Sequence, residues 1–229
     1  FGLFQKRLAD LPTERIQEPL PQFHNGVLRI DALEKAVRED KQNRVEATKP
    51  EIEFCQTNRG IVQIFADAQA KGELPQRITH NDTKIDNVLL DQNTDEVLCI
   101  VDLDTVMPGL IHYDFGDMVR TLTSPADEDE RDLDKVTMRM EFFDALAKGY
   151  LSEANDFLSK AEKGYLAQAG KVITFQLGVR FLTDHLNGDT YFRVHREGQN
   201  LDRARVQFKL VECMLENEEA MKATIAKLG

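Results

Sequence analysis

A short strand-forming block between residues 75 and 102 is the feature that most limits what this chain can fold into. It contains the runs RIT, NVLLD and EVLCIVD, which are separated by polar segments, whereas the apolar spacing before and after it is helical. The sequence therefore predicts an α+β protein that is predominantly helical, with one small strand cluster in the middle. We expect functional residues to collect at that exception.

Two capping boxes, in which the N-cap side chain and one three residues later satisfy free backbone N–H groups, predict helix starts. Asp31 with Glu34 marks the first start, and Thr48 with Glu51 marks a second helix, which is expected to reach about Lys71. Further helices are predicted near residues 114–123, 138–152, 158–187 and 200–227. The acidic segment SPADEDERDLD between the first two of these is predicted to be a solvated loop, because blocks of like charge rarely pack.

The composition argues against several classes of protein. Among 229 residues, 40 are acidic and 29 are basic, and the net charge of -11 argues against general nucleic-acid binding. The three cysteines include no C-x-x-C pair, so they signal neither a disulfide framework nor a zinc site. The run VLCIV is far too short to cross a bilayer. We expect a cytoplasmic protein with no membrane partner.

A catalytic motif lies inside the strand block. The segment THNDTKIDNVLLD places His80, Asp82 and Asn87 in the pattern H-x-D-x-x-x-x-N, which is the catalytic loop of kinases. An aspartate that deprotonates an attacking hydroxyl must lie near an amide oxygen that binds magnesium, because the metal bridges the phosphates under attack. Order, spacing and strand context together predict a phosphoryl-transfer site.

The two runs that follow this motif predict a second magnesium ligand by geometry. If NVLLD and EVLCIVD pair as antiparallel strands around the turn QNTD, the start of the first lies beside the end of the second. Asn87 and Asp102 then meet at one open end. Two hard oxygen ligands beside Asp82 favour a magnesium–phosphate site over a zinc site.

A competing metal ligand occurs in YDFGDM, whose Asp-Phe-Gly triplet binds magnesium in protein kinases. Asp114, which opens the triplet, lies 32 residues after Asp82 and follows the segment MPGLIHY, which is predicted to be a Pro-Gly loop. Asp102 follows an apolar strand after 20 residues, which is comparable to the kinase spacing. We therefore assign metal binding to Asp102 and predict that Asp114 is a helix N-cap.

These residues resemble the aminoglycoside phosphotransferase and choline kinase superfamily, whose fold is related to that of protein kinases. HNDTKIDNVLLD, IVDLDTVMPGLIHYDFGD and FLTDHLNGDTYFRV are similar in particular to the N-acetylhexosamine 1-kinase branch. The resemblance covers residues 1–229 as the C-terminal lobe of such an enzyme. Asn81 stands where the family has glycine, and we expect no effect on the chemistry.

The resemblance implies a role for each residue of the motif. Asp82 is the expected base, and Asn87 and Asp102 are expected to hold the Mg²⁺ that accompanies ATP. Asp104 either reaches the metal or has a structural role. His80 is expected to support the catalytic loop through hydrogen bonds, as is Asp114.

For the acceptor, the resemblance implies Arg180 and Tyr191 as pocket residues. Two alternatives stay open. Arg180 lies one helical turn before Asp184, with which it is able to form a buried ion pair. For Tyr191, the alternative is an ordinary core tyrosine.

The expected activity is transfer of the γ-phosphoryl group of ATP to an alcohol, and the resemblance implies the anomeric hydroxyl of an N-acetylhexosamine. Choline, a homoserine-like compound and an aminoglycoside stay open as acceptors, as does a non-catalytic kinase-derived module. No glycine-rich loop and no lysine of the VAIK kind occurs before residue 75. We therefore expect the nucleotide-clamping N-terminal lobe to be a missing partner, and residues 1–229 alone to show little or no activity.

Overall fold

The computed structural model describes residues 1–94 and 96–229, which form helices and two short pairs of strands. The helices are α1 (Gly2–Leu8), α2 (Gly26–Glu39), α3 (Lys49–Thr57), α4 (Gln63–Ala70), α5 (Ile111–Thr123), α6 (Met140–Ala154), α7 (Lys160–Asn187), α8 (Gln199–Glu216) and α9 (Glu218–Leu228). The strands are β1 (Arg77–Thr79), β2 (Val88–Leu90), β3 (Val97–Ile100) and β4 (Met107–Gly109). The predicted α+β class with predominant helix is therefore confirmed.

Helix α7 is the centre of the core, where it packs against α2, α5, α8 and α9. Its start is a capping box between Ser159 and Glu162, and its end is Gly188 in the left-handed conformation, with a φ of 97°. Because neighbours cover it on several sides, α7 is buried around most of its circumference, as Val172, Phe175 and Leu182 illustrate.

Strands β2 and β3 form the predicted antiparallel hairpin. Val88 pairs with Ile100, so the residues that precede β2 and those that follow β3 lie at the same end. The predicted turn QNTD includes Asp95, which lies outside the described residues.

Strands β1 and β4 form a second antiparallel pair, in which Thr79 pairs with Met107. The prediction that the Pro-Gly segment is a loop is therefore wrong for residues 107–109. Glycine permits this pairing, because a Cβ on Gly109 would lie 2.4 Å from Thr79 Oγ1. Strand β1 leads directly into the catalytic motif, so this pair fixes where the motif begins.

Neither predicted capping box forms. Thr48 is the N-cap of α3 as predicted, but its hydroxyl donates to Arg44 O at 3.0 Å and caps no N–H. The first box is also misplaced. Helix α2 begins at Gly26, and its N-cap is Asn25, whose side chain accepts from the N–H of Leu28 at 3.1 Å. Asp31 and Glu34 both lie inside the helix, where no free N–H remains for them to cap.

Two predicted helices are divided where an asparagine side chain bonds to the carbonyl four residues earlier. Asn58 Nδ2 donates to Phe54 O at 2.9 Å, and α3 ends there instead of continuing into α4. Asn217 Nδ2 donates to Cys213 O at 2.8 Å and separates α8 from α9, which corrects the single helix predicted over 200–227. Such side chains compete with backbone hydrogen bonds.

The acidic segment after α5 is held by arginines. Glu128 lies 3.1 Å from Arg203, and Asp129 lies 3.0 Å from Arg196. The segment contains no strand or α-helix, and Asp127, Glu128, Arg131 and Asp132 are exposed, so the predicted solvated loop is confirmed. The sequence did not predict which distant arginines pair with its carboxylates.

Candidate active site

The loop that follows β1 is fastened to the end of β3. His80 Nε2 lies 3.0 Å from Val101 O, so the ring proton is on Nε2, and Nδ1 accepts from the N–H of Asp82 at 3.3 Å. The N–H of Val101 donates in turn to Asn87 O at 3.0 Å. These contacts bring the residues on either side of the hairpin together.

Asp114 lies beneath this loop and does not cap a helix. Helix α5 begins three residues earlier, and the side chain of Asp114 is fully buried in its first turn. Its Oδ2 accepts from Gln5 Nε2 at 2.7 Å and from the N–H of His80 at 3.0 Å, and its Oδ1 accepts from the N–H of Asn81 at 2.7 Å. Burial raises the pKa of Asp114, and these donors oppose the shift. The N-cap prediction is wrong, because loop N–H groups occupy the carboxylate.

Asn81 explains how this loop turns. Its φ is 68°, a left-handed conformation that glycine and asparagine adopt more readily than other residues. Its Nδ2 donates to the carbonyl of Thr105 at 3.0 Å, and its Oδ1 accepts from Thr79 Oγ1 at 3.0 Å. The side chain is therefore part of the scaffold.

Asp82 is fixed at one carboxylate oxygen and free at the other. Its Oδ2 accepts from Lys84 Nζ at 2.9 Å and from Asn87 Nδ2 at 3.0 Å. Within residues 1–94 and 96–229 no side chain or backbone group donates to Oδ1, and the side chain is 26% exposed. The free oxygen is able to accept a hydrogen bond from a hydroxyl.

Lys84 lies among several carboxylates. Burial acts to lower its pKa, but the hydrogen bond with Asp82 and the charges of Asp82, Asp102 and Asp117 raise it overall. This lysine therefore carries a stable positive charge beside the free oxygen of Asp82.

The oxygen ligands predicted for Mg²⁺ lie at the end of the hairpin. Both hydrogen bonds from Asn87 Nδ2 go to Asp82, so Asn87 Oδ1 is left as the ligand atom. Asp102 and Asp104 are both exposed, and Asp102 has a φ of 61°, a conformation that non-glycine residues rarely adopt. Such strain is often found at functional sites.

No three His, Cys, Asp or Glu side chains among the described residues come together as a metal site. Mg²⁺ does not need such a group, because it usually keeps several waters and takes one or two carboxylates together with substrate phosphates. The amide oxygen of Asn87 and the carboxylate of Asp102 fit that requirement. They would hold the metal only together with phosphate and water oxygens.

A cavity of about 70 Å³ lies beside Asp82. Its polar wall consists of Asp82 and six further residues, which are His24, Asn81, Asp117, Arg120, Gln176 and Arg180. Burial lowers the pKa of His24 to about 3, so this ring carries no charge at neutral pH. The cavity therefore contains two carboxylates and two guanidinium groups.

Arg180 reaches the cavity from α7 and packs among aromatic rings. Its guanidinium carbon lies 5.4 Å from the ring centre of Phe23, 5.5 Å from that of Tyr191 and 5.3 Å from that of Phe192. Its Nη2 donates to the hydroxyl of Tyr191 at 3.2 Å. Tyr191 is 70% exposed, so the alternative of a core tyrosine is wrong.

Asp184 does not pair with Arg180, and the ion-pair alternative is wrong. The oxygens of Asp184 accept from the N–H groups of Thr190, Tyr191 and Phe192, each between 2.8 and 2.9 Å. Asp184 therefore holds the segment that carries Tyr191, and no carboxylate in the described part of the chain neutralises Arg180.

The motif did not predict three residues of this site. Lys84 lies inside the motif at a variable position, and Asp117 follows Asp114 by three residues on the same helix. Gln176 precedes Arg180 by four residues on α7, so it shares the same helical face. That spacing is the one sequence signal that points to Gln176.

The mostly helical α+β fold and the family match that follows define a kinase-like phosphotransferase. Residues 1–158 match the model of the Phosphotransferase enzyme family, and the match covers more than half of the chain. The chain therefore belongs to that family, and it is a kinase-like small-molecule transferase. Among the described residues no helix is long and apolar enough to cross a membrane.

Proposed function

We propose that this chain transfers the γ-phosphoryl group of ATP to a sugar hydroxyl, specifically the anomeric hydroxyl of an N-acetylhexosamine. The observation that carries the proposal is Asp82, which is held at Oδ2 by Lys84 and Asn87 and is free at Oδ1 on the wall of a cavity. A base must be fixed in place and yet open to the hydroxyl that it deprotonates.

In the proposed reaction, Asp82 Oδ1 accepts a hydrogen bond from the acceptor hydroxyl and takes its proton. The deprotonated hydroxyl oxygen of the acceptor forms the new bond to the γ-phosphorus, while the bond from that phosphorus to the bridging oxygen of ATP breaks and releases ADP. Lys84 supplies positive charge beside the incoming phosphoryl group. Asn87 and Asp102 would hold Mg²⁺, which neutralises phosphate charge when it is bound.

The charges of the cavity support a neutral acceptor. Asp82 and Asp117 are balanced by Arg120 and Arg180, and the second of these arginines has no carboxylate partner in the described residues. An unpaired guanidinium would repel the ammonium group of choline or of an aminoglycoside. A sugar offers it hydroxyl oxygens, and Tyr191 offers a ring and a hydroxyl beside it.

A homoserine-like alcohol is the second candidate acceptor, because two arginines near the site would bind its carboxylate. Arg29 and Arg180 both line a neighbouring cavity of about 220 Å³, and neither has a carboxylate partner among residues 1–94 and 96–229. The carboxylate of an amino acid would satisfy both.

We also propose that a second lobe clamps the nucleotide by packing on the hairpin. Leu89, Val97 and Leu98 on the hairpin, and Leu103 after it, expose between 47% and 66% of their surface. Several exposed apolar side chains on one short hairpin are typical of a binding surface. The activity of residues 1–229 alone is then expected to be low.

A phosphate-transfer assay tests the proposal with N-acetylhexosamines, other sugars, choline, homoserine and aminoglycosides as acceptors. It compares residues 1–229 with the full-length gene product. We expect the gene product to phosphorylate N-acetylhexosamines, and Asp82→Asn to lower kcat about a thousandfold without changing thermal unfolding. Preferred transfer to homoserine or choline would contradict the sugar assignment, and acceptor binding without any transfer would indicate a non-catalytic module.

A further inference from the structure

Two buried oxygens in the wall of the cavity beside Asp82 have no hydrogen-bond donor. They are Asp117 Oδ2 and Gln176 Oε1. Asp117 is 6% exposed and Gln176 is 2% exposed, so bulk water does not replace the missing donors. A buried acceptor without a donor is costly, and such oxygens are rare in folded proteins.

The opposite end of each side chain is anchored. Asp117 Oδ1 accepts from Arg120 Nε and Nη2, both at 2.8 Å, and Gln176 Nε2 donates to Phe23 O at 3.4 Å. Because the nitrogen of Gln176 faces a carbonyl, its oxygen is the atom left for another donor. Both side chains line the cavity, so a ligand there is the nearest source of the missing donors.

We propose that Asp117 and Gln176 are specificity-determining residues that accept hydrogen bonds from two donor groups of the acceptor, next to the hydroxyl that Asp82 deprotonates. The inference rests on the proposed phosphotransfer to a small alcohol. It adds that the acceptor is a neutral, polyhydroxylated compound with at least two O–H or N–H donors besides the reacting one.

These two residues complement Arg180, because they offer the ligand hydrogen-bond acceptors whereas Arg180 offers it donors. Arg180 presents N–H donors to acceptor oxygens, whereas Asp117 and Gln176 present oxygens to acceptor hydrogens. A site that hydrogen-bonds a hydroxyl discriminates strongly against an analogue that lacks it, because its own buried polar atom is then left unpaired. The pair would therefore distinguish sugars that differ at a single hydroxyl.

The chain offers a matched control for Gln176. Gln207 on α8 also has a buried Oε1 without a donor, but it does not line the cavity beside Asp82. Replacement of either glutamine by methionine removes one unpartnered oxygen at nearly constant volume. A cavity-specific role predicts different effects on ligand binding for Gln176→Met and Gln207→Met.

The test is calorimetric titration of the folded chain with an N-acetylhexosamine and with a series of its singly deoxygenated analogues. We expect Gln176→Met and Asp117→Asn each to weaken binding of the parent sugar roughly tenfold. For each of these two variants, the analogue that lacks the group bound by the replaced side chain should bind with the same affinity as it binds the unaltered chain. Gln207→Met should change the affinity for none of the sugars. Thermal unfolding verifies that each variant folds, and either of the two cavity variants is sufficient for the comparison.

The outcomes separate this inference from the proposed function. If the unaltered chain binds sugars but the cavity variants weaken every analogue equally, or none, the inference is overturned and the phosphotransfer proposal stands. If the unaltered chain binds no polyhydroxylated compound, both are overturned. Loss of selectivity for one hydroxyl per variant would support the assignment.

Discussion

Two groups of polar residues lie on opposite sides of the same loop and have opposite properties. The anchor consists of Gln5, Asp114 and Tyr150, which are buried and bonded to one another: Tyr150 donates to Gln5, and Gln5 donates to Asp114. The open mouth consists of Asp82 and Asp102, which are partly or fully exposed and retain carboxylate oxygens without donors. The single aspartate of the anchor thus serves structure, and the two aspartates of the open mouth are available for chemistry.

The difference teaches where each kind of change should act. Replacement of an anchor residue leaves buried donors unsatisfied, so it should lower stability. Replacement of a residue in the open mouth removes a solvent-exposed carboxylate oxygen that no protein group binds. It should therefore lower activity while the free energy of unfolding stays nearly constant.

The sharpest test of this comparison is Asp114→Ala against Asp102→Asn. Asp114→Ala should lower the free energy of unfolding by about 3 kcal/mol, because the N–H groups of His80 and Asn81 lose their acceptor inside the protein. Asp102→Asn should change it by less than about 0.5 kcal/mol, since asparagine tolerates the left-handed backbone at this exposed position. Urea unfolding measures both values, and equal losses would abolish the distinction.

Lys84 gives the next largest expected effect, and it acts on activity alone. Lys84→Met should lower kcat about a hundredfold, because the positive charge beside Asp82 is lost where phosphoryl charge develops. Steady-state kinetics of the phosphate-transferring protein measures this effect, with the exposed Lys148→Met as control. An unchanged kcat would remove Lys84 from the proposed mechanism.

The hairpin was predictable because its signal is local. Alternating short apolar runs and a nearby turn determine the pairing of β2 with β3, and that pairing determines that Asn87 and Asp102 share one end. The contact between Gln5 and Asp114 was not predictable, because they are 109 positions apart and nothing in their spacing reveals it. The local pattern around Asp114 predicted a helix cap, and only the family resemblance implied that it supports the catalytic loop.

The acceptor side shows the same limit. Arg180 and Asp184 have the spacing of a helical ion pair, yet the backbone of residues 190–192 occupies Asp184. A loop that folds back over a helix gives no periodic signal in sequence. The unpartnered arginine was therefore visible only in three dimensions.

Asp184→Asn should have a smaller effect, which is specific to the acceptor. The asparagine would replace one acceptor oxygen by an NH₂ donor, which cannot accept from the N–H groups of Tyr191 and its neighbours. The segment beside Arg180 should therefore become less firmly held. We expect KM for the acceptor to rise roughly tenfold while kcat changes little. Asp144→Asn on the exposed face of α6 is the control, and a matching fall in kcat without a change in KM would contradict a positioning role.

The smallest expected effect tests whether the apolar hairpin belongs to the open mouth. Leu98 is 63% exposed, so Leu98→Ser should alter the free energy of unfolding by less than about 0.5 kcal/mol. If a nucleotide-clamping lobe covers this strand, the same change removes buried apolar surface from the complex, and KM for ATP should rise roughly fivefold. Leu215→Ser, on an exposed leucine of α8, should leave KM unaltered. Equal KM values for ATP in the two variants would show that no nucleotide-clamping lobe covers the hairpin in the active enzyme. The nucleotide would then have to be held elsewhere.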